Sequence, residues 1–465
     1  MAWREELLRL LPGRVFLGEE ARAEVSGDLS PVRQMRKLRG AELPLAAAAV
    51  RAQGPEDVQQ LLRFAAAKSL KVIARGGGSG VVGGVEAGPD AIVLDLRRLD
   101  AIGPVDRASG VVQAQAGCLL GRLEEQLEAE GLTVGHYPQS IAVASLGGLV
   151  ATRSSGQYST RYGSIEQMVV ALELVTPDGR LRHVGRPPRR ALGPEVLPLL
   201  LGGEGTLGVI TSVTLAAWPL PEAEELRSYA FEDFTQGLEA MRRLTRAGLP
   251  LGVIRLYDRD DALHGFPGLL PDAGLGALLL LSCLGAREVA EAGAAAADRI
   301  SAAAGGRRLG DAIGRQWLAS RNDVTEWDRY LSSGILVDTV ECGATWTDLP
   351  SAYEAAIQAV RAVPEVVAVF GHAAHAEATG ASLYFTFAAV PLPAGDAAEL
   401  QHRIWDALLT AAAREGASVG HHHGVGRVRR AWTWRERQEE LELLLGLRAA
   451  LDPGRMLNPG ALWPD

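Results

Sequence analysis

The fold of this chain is decided by the stretch Arg75-Gly76-Gly77-Gly78-Ser79-Gly80-Val81-Val82-Gly83-Gly84. It follows the apolar run Lys71-Val72-Ile73-Ala74, which predicts a strand. Glycines at this density let a backbone turn tightly and approach a ligand closely, because they carry no Cβ atom. Successive backbone N–H groups in such a loop form a concavity suited to phosphate oxygens. The sequence therefore predicts a phosphate-bearing ligand at this loop.

Two common phosphate-binding motifs do not fit the glycine loop. Residues 78–83 satisfy G-x-G-x-x-G, but a dinucleotide site of the Rossmann type needs that motif to open a helix. Here the loop runs through Gly88-Pro89 into the apolar run 91–96, a second predicted strand. No Lys-Ser/Thr pair follows the glycines, which excludes a Walker A loop. Taken alone, the loop also allows a glycine-rich turn that binds nothing.

Composition limits the classes of function. A chain of 465 residues predicts two or three domains. The net charge of -9 argues against nucleic acid as a partner, because nucleic-acid binding needs a basic face. The three cysteines are far apart and form no CxxC motif, so neither a disulfide framework nor a metal site is predicted. Since the sequence shows no signal-peptide core and no apolar run that could span a bilayer, we expect a cytoplasmic enzyme.

Hydrophobic periodicity predicts an α+β layout. A helix is expected after Gly54-Pro55, and strands are expected at 71–74, 91–96 and 110–116, followed by a helix over 119–130. Residues 135–163 are rich in small residues and are expected to form a loop. A strand and hairpin turn at Pro177-Asp178-Gly179 precede another strand over 209–216.

The segment Trp218-Pro219-Leu220-Pro221 is the expected domain boundary. Beyond it, strands alternate with long alanine-rich helices, which predicts a second domain with an antiparallel sheet covered by helices. These strands are expected at 251–257, 277–283, 334–341, 366–370 and 382–389, and the helices at 233–247, 287–304 and 398–415. The expected division is an N-terminal segment 1–44, a first domain 45–219, a second or cap domain 220–430, and a C-terminal helix and tail 431–465 that returns to the first domain.

Five further motifs follow the glycine loop in order. They are Gly135-His136-Tyr137-Pro138-Gln139-Ser140, Leu146-Gly147-Gly148 with Thr152-Arg153-Ser154-Ser155-Gly156, Gly163-Ser164-Ile165-Glu166, Glu204-Gly205-Thr206-Leu207-Gly208-Val209-Ile210-Thr211, and the terminal Asp452-Pro453-Gly454 with Asn458-Pro459-Gly460. Together they resemble the vanillyl-alcohol oxidase superfamily, over nearly the whole chain beyond about residue 45. The resemblance implies a PCMH-type FAD-binding domain of two α/β subdomains, with the pyrophosphate held on a strand–loop–strand turn.

The resemblance also implies which residues bind FAD. No histidine lies in the loop 75–84, so we expect FAD to be bound non-covalently. The implied cofactor-binding residues are Arg75, Gly76, Gly77, Gly78, Ser79, Gly80, Gln139, Ser140, Ser145, Gly147, Gly148, Thr152, Arg153, Ser154, Ser155, Glu204, Gly205, Thr206, Gly208, Val209 and Ile210.

A run of histidines favours one branch of the superfamily. The motif Gly420-His421-His422-His423-Gly424 resembles the triple-histidine motif of the alkylglycerone-phosphate synthase family. A metal site is the main competing interpretation. In an extended segment, neighbouring side chains point to opposite faces, so three consecutive histidines cannot converge as one ligand set, and no metal is predicted.

The segments 371–375 and 380–387 also resemble that synthase. Along the predicted strand, Leu383, Phe385 and Phe387 share one face, and Tyr384 lies on the other. Tyr384 matches the catalytic tyrosine of the family, although a structural strand tyrosine is the alternative.

Other residues carry over from the synthase family. His136 and Arg255 match residues with a catalytic role, and His372 and His375 are candidate substrate contacts. The arginine that holds the substrate phosphate in the family has no direct match, because Trp327 stands at its counted position. Arg329 lies two residues away and is the candidate to substitute for it after a small shift; without that substitution the resemblance does not support a phosphate-bearing substrate.

The synthase resemblance implies a reaction without net redox change. The acyl group of acylglycerone phosphate is exchanged for a long-chain alcohol, with Tyr384 as acid and base. A phenol titrates near pH 10, so we expect His421–His423 and Arg255 to favour its ionised form. The expected partners are a small-molecule or lipid substrate, at most peripheral membrane contact, and a second copy of the chain in a homodimer.

Two other functions stay open. An FAD-dependent dehydrogenase of 2-hydroxy acids such as D-lactate or glycolate has the same fold, but typically carries Gly-His-x-Gly-Asp-Gly-Asn-x-His. This chain has Gly371-His372-Ala373-Ala374-His375 instead. A non-catalytic flavin-binding protein is the third alternative, and it predicts loss of the tyrosine and histidines that this chain retains.

Overall fold

The computed structural model describes residues 2–186, 188, 190–270, 274–323, 325–391 and 396–464. The N-terminal part builds a four-stranded sheet in the order β1-β2-β4-β3. Strands β2, β4 and β3 are parallel, and β1 is antiparallel to β2. The elements are α1 Ala2–Leu10, β1 Val15–Phe16, α2 Glu19–Val25, α3 Pro31–Leu38, β2 Ala48–Arg51, α4 Pro55–Lys68, β3 Lys71–Arg75 and β4 Ala91–Asp95.

The predicted strand–loop–strand arrangement at the glycine loop is confirmed. Residues 76–90 contain no helix and join β3 to its parallel neighbour β4. Strand β4 is buried on both faces, as its continuous apolar sequence indicates. The predicted helix α4 begins with Pro55 at its first position and carries acidic residues in its first turn. It packs Val58, Leu61 and Leu62 into the core of this sheet.

A second, antiparallel sheet has the strand order β5-β9-β7-β8. The predicted hairpin is confirmed, with the Gly179 N–H donating to Thr176 O over 2.8 Å. A short ribbon pairs β10 with β6. The elements are β5 Val111–Gln115, α5 Leu120–Glu128, β6 Leu132–Thr133, α6 Leu146–Thr152, α7 Ser159–Tyr162, α8 Ile165–Met168, β7 Val169–Val175, β8 Leu181–Gly185, α9 Leu197–Leu200, β9 Val209–Ala216 and β10 Trp218–Pro219.

The prediction of a loop over 135–163 is wrong in part, because α6 and α7 lie within it. The glycines at 147 and 148 suggested a loop. However, Leu146, Leu149 and Val150 recur at helical spacing, and all three are buried against the second sheet. The apolar packing of this short helix therefore outweighs the low helix propensity of its glycines.

The remaining strands form a seven-stranded sheet in the order β14-β11-β13-β12-β16-β17-β15, with every neighbouring pair antiparallel. Helices α10, α12, α15 and α16 contribute to one large apolar core with it, which confirms the predicted antiparallel sheet covered by helices. Strand β11 was not predicted. The elements are β11 Ala223–Phe231, α10 Phe234–Arg246, β12 Leu251–Asp258, α11 Arg259–Gly265, β13 Ala277–Gly285, α12 Arg287–Ala303, β14 Arg307–Arg308, α13 Ala312–Ser320, α14 Thr325–Ser332, β15 Leu336–Thr345, α15 Leu349–Arg361, β16 Val366–Ala374, β17 Gly380–Ala389, α16 Ala397–Arg414, α17 Arg430–Glu436, a 3₁₀ helix Gln438–Glu440 and α18 Leu441–Leu451.

The C-terminal tail lies against the glycine loop and the first sheet. Leu457 bridges to Val72 of β3. The Asn458 side-chain amide donates to Gly84 O over 2.9 Å and to Glu204 O over 2.8 Å. The tail thus connects two of the segments predicted to bind the cofactor. None of the helices within the described ranges has the length and apolar content needed to cross a bilayer.

Candidate active site

The glycine loop approaches the segment before α6 so closely that side chains would not fit. A Cβ atom on Gly76 would lie 1.9 Å from Ser145 Oγ, and one on Gly77 would lie 1.8 Å from Val143 O. The Gly77 N–H donates to Ser145 Oγ over 3.1 Å, and Gly78 has φ of +73°. These positions therefore require glycine for steric and conformational reasons.

The predicted cofactor residues fall on three segments that the fold brings together. The glycine loop contacts the segment 139–155 through Ser145. The segment 204–210 joins both, because Glu204 N–H donates to Ala151 O over 2.9 Å and a Cβ atom on Gly205 would lie 3.7 Å from that of Ala74. Three backbone segments that contact one another thus contain most of the residues that the sequence assigned to FAD.

Several of the predicted side chains are already engaged within the protein. Arg75 donates to Gly76 O over 3.0 Å, and Thr152 Oγ1 donates to Gly148 O over 3.1 Å. Arg153 forms an ion pair with Glu166 at 3.0 Å. Ser155 and Ser164 share a hydrogen bond of 2.6 Å, and Thr206 Oγ1 donates to Gly203 O over 2.7 Å.

The environment of Arg75 also affects its proton affinity. Burial, and then the positive charge of nearby Arg97, lowers the pKa of Arg75. These side chains shape the backbone of the site. Gln139 is exposed, and Ser79, Gly80 and Ser140 are half-buried.

His136 lies close to Gly156, since a Cβ atom on that glycine would be 3.1 Å from His136 Nδ1. Its side chain is fully buried, and neither ring nitrogen makes a hydrogen bond to another described residue. Burial lowers the pKa of His136 to about 3. A buried polar group without a partner is costly, so an imidazole with no hydrogen bond to the described residues fits a polar ligand that is bound there.

His136 makes stability depend on pH. Since its folded-state pKa lies below the unfolded value of about 6.5, the stability associated with neutral His136 is present above that pH and is lost as the pH falls towards about 3. We expect the free energy of unfolding of the wild type to fall by about 2 kcal/mol more than that of His136→Gln between about pH 7 and pH 5. Urea unfolding of both proteins at several pH values measures this difference. Parallel curves would contradict it.

Tyr384 lies on β17 as the alternation predicts. Leu383, Phe385 and Phe387 are fully buried on the helix-covered face. The Tyr384 hydroxyl donates to Thr339 Oγ1 over 3.1 Å, and its ring stacks on His372 with centroids 4.8 Å apart and planes at 17°. The His422 and His423 rings lie 5.9 and 5.4 Å from it. The phenol is therefore surrounded by imidazoles on the face opposite the core.

The expectation that neighbouring groups favour the ionised phenol is not met. Burial raises the pKa of Tyr384 to about 12. Burial also lowers the pKa of each of four surrounding histidines below the ordinary value, and these are His372, His375, His421 and His422. Neutral imidazoles supply no positive charge, and the influences that oppose this rise in the pKa of Tyr384 are the hydrogen bond with Thr339 and then the charge of Arg255. The phenol is consequently protonated in this state of the site.

The triple-histidine loop is not extended, contrary to the assumption made from the sequence. The N–H groups of His421, His422 and His423 all donate to Glu341 Oε1, over 3.1, 3.0 and 2.9 Å. Because three successive backbone amides donate to one oxygen, the backbone forms a tight turn. The three histidine rings then lie near Tyr384 and His375. No group of three or more His, Cys, Asp or Glu side chains in the described ranges is arranged to hold a metal ion.

Glu341 is the centre of this arrangement, and the sequence did not identify it. It is fully buried and lies opposite Tyr384 in the β15–β17 register. Both of its oxygens accept from Arg429, which is 1% exposed, and His423 Nδ1 lies 3.1 Å from Oε2. Although burial alone would raise it, Arg429 and then His423 hold the pKa of Glu341 well below its usual range. A buried carboxylate thus fixes the loop that carries the histidines.

Arg255 and His372 belong to a second series of hydrogen-bonded polar side chains. Arg255 Nη2 lies 2.7 Å from His372 Nε2, and His372 Nδ1 lies 2.8 Å from Asp261 Oδ2. The Arg255 Nε atom is buried without a hydrogen-bond partner among the described residues. Asp261 was not identified from the sequence, where it reads only as an acidic residue in the first turn of a helix.

His375 connects the seven-stranded sheet to α7. It has φ of +51°, which is uncommon for a residue with a side chain. Its Nδ1 atom lies 2.7 Å from Ser159 Oγ, and its ring lies 4.7 Å from that of His422.

The structure does not bring Arg329 into this cluster. Arg329 is exposed on α14, which precedes β15. Strand β15 starts at Leu336, and Glu341 lies five residues further on, a distance of about 16 Å along a strand. The predicted substitute for the family's phosphate-holding arginine therefore lies beyond the far end of β15.

Comparison with known proteins identifies the family. Residues 46–185 match the FAD binding domain family, and residues 220–462 match the C-terminal domain of FAD linked oxidases. The chain belongs to the FAD-linked oxidase family. As a member of this family it uses FAD as its cofactor, which confirms the predicted PCMH-type flavoprotein fold and the resemblance to the vanillyl-alcohol oxidase superfamily.

Relatives of this chain include a synthase and a dehydrogenase. The FAD-linked oxidoreductase YgcU of Escherichia coli is 31% identical over 437 residues, covering 91% of this chain and 90% of that protein. An alkyldihydroxyacetonephosphate synthase of Trypanosoma brucei brucei is 28% identical over 452 residues, covering 88% of this chain and 72% of the synthase. A D-lactate dehydrogenase of Archaeoglobus fulgidus is 31% identical over 205 residues, covering 44% of this chain and 46% of that enzyme.

A solved structure of an alkyldihydroxyacetonephosphate synthase superposes on this chain with a TM-score of 0.78. The match covers 98% of this chain and 84% of that chain at 23% identity. At this identity the likeness concerns the fold.

Proposed function

We propose that this FAD-dependent enzyme catalyses an exchange of the alkylglycerone-phosphate synthase type in ether-lipid synthesis. The acyl group of an acylglycerone phosphate is replaced by a long-chain alcohol, and a fatty acid is released. The observation that carries the proposal is Tyr384, which stands among buried neutral histidines beside Arg255. The similarity to the synthase of Trypanosoma brucei brucei along most of the chain supports it.

The proposed FAD site is the backbone region built by the three segments described above. The glycine loop would hold the pyrophosphate by its backbone N–H groups, and no histidine in the loop offers a covalent link. His136, with both ring nitrogens unpaired, would contact the bound cofactor or substrate. Bound FAD supplies an electron-deficient ring system next to the reacting substrate.

The protonated phenol of Tyr384 is suited to act first as an acid. We assign it to the carbonyl oxygen of the substrate, where negative charge develops when a proton is removed from the adjacent carbon. Arg255 adds a fixed positive charge next to the phenol. The low-dielectric surroundings strengthen both interactions.

Neutral histidines are in the protonation state that a base requires. Burial lowers the pKa of His421 and His422, so each ring is neutral and carries one lone pair, and the ring that donates in the hydrogen bond between them keeps its lone pair free. Their Nδ1 atoms lie 3.1 Å apart. We assign to this pair the removal of the substrate proton and its later return to the same carbon, while the proton of the alcohol leaves with the fatty acid, so that the exchange leaves the protein unchanged.

An exchange assay tests this proposal. Purified holoenzyme is incubated with palmitoylglycerone phosphate and radiolabelled hexadecanol, and lipid products are separated. We expect labelled alkylglycerone phosphate together with free palmitate, without net reduction of the flavin. Absence of labelled product, combined with anaerobic bleaching of the flavin by D-lactate or glycolate, would contradict the exchange.

The second candidate is oxidation of a 2-hydroxy acid by bound FAD. The specific observation in its favour is the position of two arginines. Arg329 is exposed and distant from Tyr384, whereas the buried Nε–H of Arg255 has no hydrogen-bond partner among the described residues. The single guanidinium of Arg255 can bind the single carboxylate of a 2-hydroxy acid. The similarity to a D-lactate dehydrogenase supports such a substrate. Both candidates place Tyr384 and Arg255 at the substrate.

A further inference from the structure

Asp261 is held in a fixed position by the start of α11. Its N–H donates to Asp258 Oδ1 over 2.8 Å, so Asp258 caps this helix. The other oxygen of Asp258 accepts from Gly371 N–H over 2.6 Å and from the Tyr353 hydroxyl over 2.8 Å. Two carboxylates in one helical turn thus attach α11 to β16, directly beside His372.

The chain of hydrogen bonds through His372 permits one protonation state. A guanidinium only donates, and a carboxylate only accepts. His372 Nε2 faces Arg255 Nη2 at 2.7 Å, so this nitrogen must carry the lone pair. His372 Nδ1 faces Asp261 Oδ2 at 2.8 Å, so this nitrogen must carry the proton. A doubly protonated ring would direct an N–H towards the Arg255 N–H and is excluded.

The hydrogen-bonded series Arg255–His372–Asp261 is shielded from water. The side chains of His372 and Asp261 are 10% and 13% exposed. The His372 ring is stacked on Tyr384, and the Tyr257 ring lies 5.4 Å from it. Burial, followed by the charge of Arg255, lowers the pKa of His372, which agrees with a neutral ring.

We propose that Asp261 is a positioning residue, which holds His372 in the Nδ1–H tautomer and thereby fixes the Arg255 guanidinium beside Tyr384. The partner of one imidazole nitrogen sets the state of the other. Without the carboxylate, His372 is free to carry its proton on Nε2, where it opposes the Arg255 N–H. Arg255 then loses its acceptor and its orientation. The catalytic part of this inference rests on the exchange proposed above, whereas the tautomer does not.

The experiment reads the tautomer and the rate separately. Holoenzyme labelled with ¹⁵N-histidine is studied by imidazole ¹H–¹⁵N correlation, and His372→Gln assigns the signal of His372. We expect Nδ1 protonated and Nε2 unprotonated in the wild type. Asp261→Leu, which keeps the branched shape of the side chain but has no acceptor, is expected to move the proton to Nε2. It should also lower kcat of the exchange by about 10- to 100-fold, the usual effect of removing the partner of a functional histidine.

Two variants serve as controls. Asp260→Leu changes the preceding residue, whose carboxylate lies 3.6 Å from the exposed Arg361, and should preserve both tautomer and kcat. Asp261→Asn keeps an acceptor oxygen and should retain the wild-type tautomer and most of the rate. If Asp261→Leu does not fold, the spectra of the wild type and Asp261→Asn still decide the tautomer.

Three results would overturn the inference. One is a wild-type His372 protonated on Nε2. The second is an Asp261→Leu variant with the wild-type tautomer. The third is a changed tautomer with unchanged kcat, which would remove Asp261 from the reaction. If no exchange activity exists in the wild type, the proposed function fails while the tautomer measurement still stands.

Discussion

Tyr384→Phe is expected to lower kcat of the exchange by between about 100-fold and about 10,000-fold, the range of general acid–base contributions. The substitution removes only the hydroxyl, which donates to Thr339 Oγ1, and keeps the ring stacked on His372. The fold and the flavin spectrum should therefore be unchanged. Rates are measured with acylglycerone phosphate and hexadecanol, as in the exchange assay.

Tyr330→Phe is the matched control, because it removes a hydroxyl from α14, the helix that also carries the exposed Arg329. This control should keep the full rate. A Tyr384→Phe enzyme that turns over as fast as the control would show that Tyr384 is structural, the alternative that its strand position allows.

Glu341→Gln is expected to lower the free energy of unfolding by about 3–5 kcal/mol, the effect of breaking a buried ion pair. Arg429 would keep its charge in the interior without its partner. In addition, the Gln side chain presents one oxygen where Glu341 presents two. Urea unfolding monitored by circular dichroism measures the loss.

Two comparisons separate charge from packing at Glu341. Glu239→Gln breaks an exposed pair with Arg242 on α10 and should cost less than about 1 kcal/mol. The double variant Glu341→Gln with Arg429→Met removes the stranded charge and should recover part of the stability. If Glu341→Gln is as mild as Glu239→Gln, the carboxylate does not organise the histidine loop as described.

The elements of the fold could be predicted where local signals agree. Helix α4 has proline at its first position, acidic residues in its first turn and an apolar stripe, and it was found where expected. The glycine loop was identified because a strand lay on each side of it. By contrast, α6 was missed because it has only seven residues, two of them glycines, and its stability comes from packing on the second sheet.

The site was predicted for residues that are chemically unusual, and missed where the partner is distant in sequence. Tyr384 and the three histidines stood out as motifs. Glu341 and Arg429 are 88 residues apart, so no local pattern connects them. Likewise, Asp261 and His372 are 111 residues apart and meet only because α11 adjoins β16. The raised pKa of Tyr384 was not foreseen, because the protonation of its neighbours depends on burial.

Glu204 connects the proposed FAD site to the triple-histidine loop. Its carboxylate accepts from the N–H groups of Val425 and Gly426 over 2.6 and 2.9 Å, just after the triple-histidine loop. Its backbone belongs to one of the segments to which FAD binding is assigned. Under that assignment the order of the histidine loop and the affinity for the flavin are thermodynamically linked, and such linkage is reciprocal. A change that loosens the histidine loop must therefore also weaken FAD binding. The free energy lost from FAD binding equals the free energy by which bound FAD favours the ordered loop.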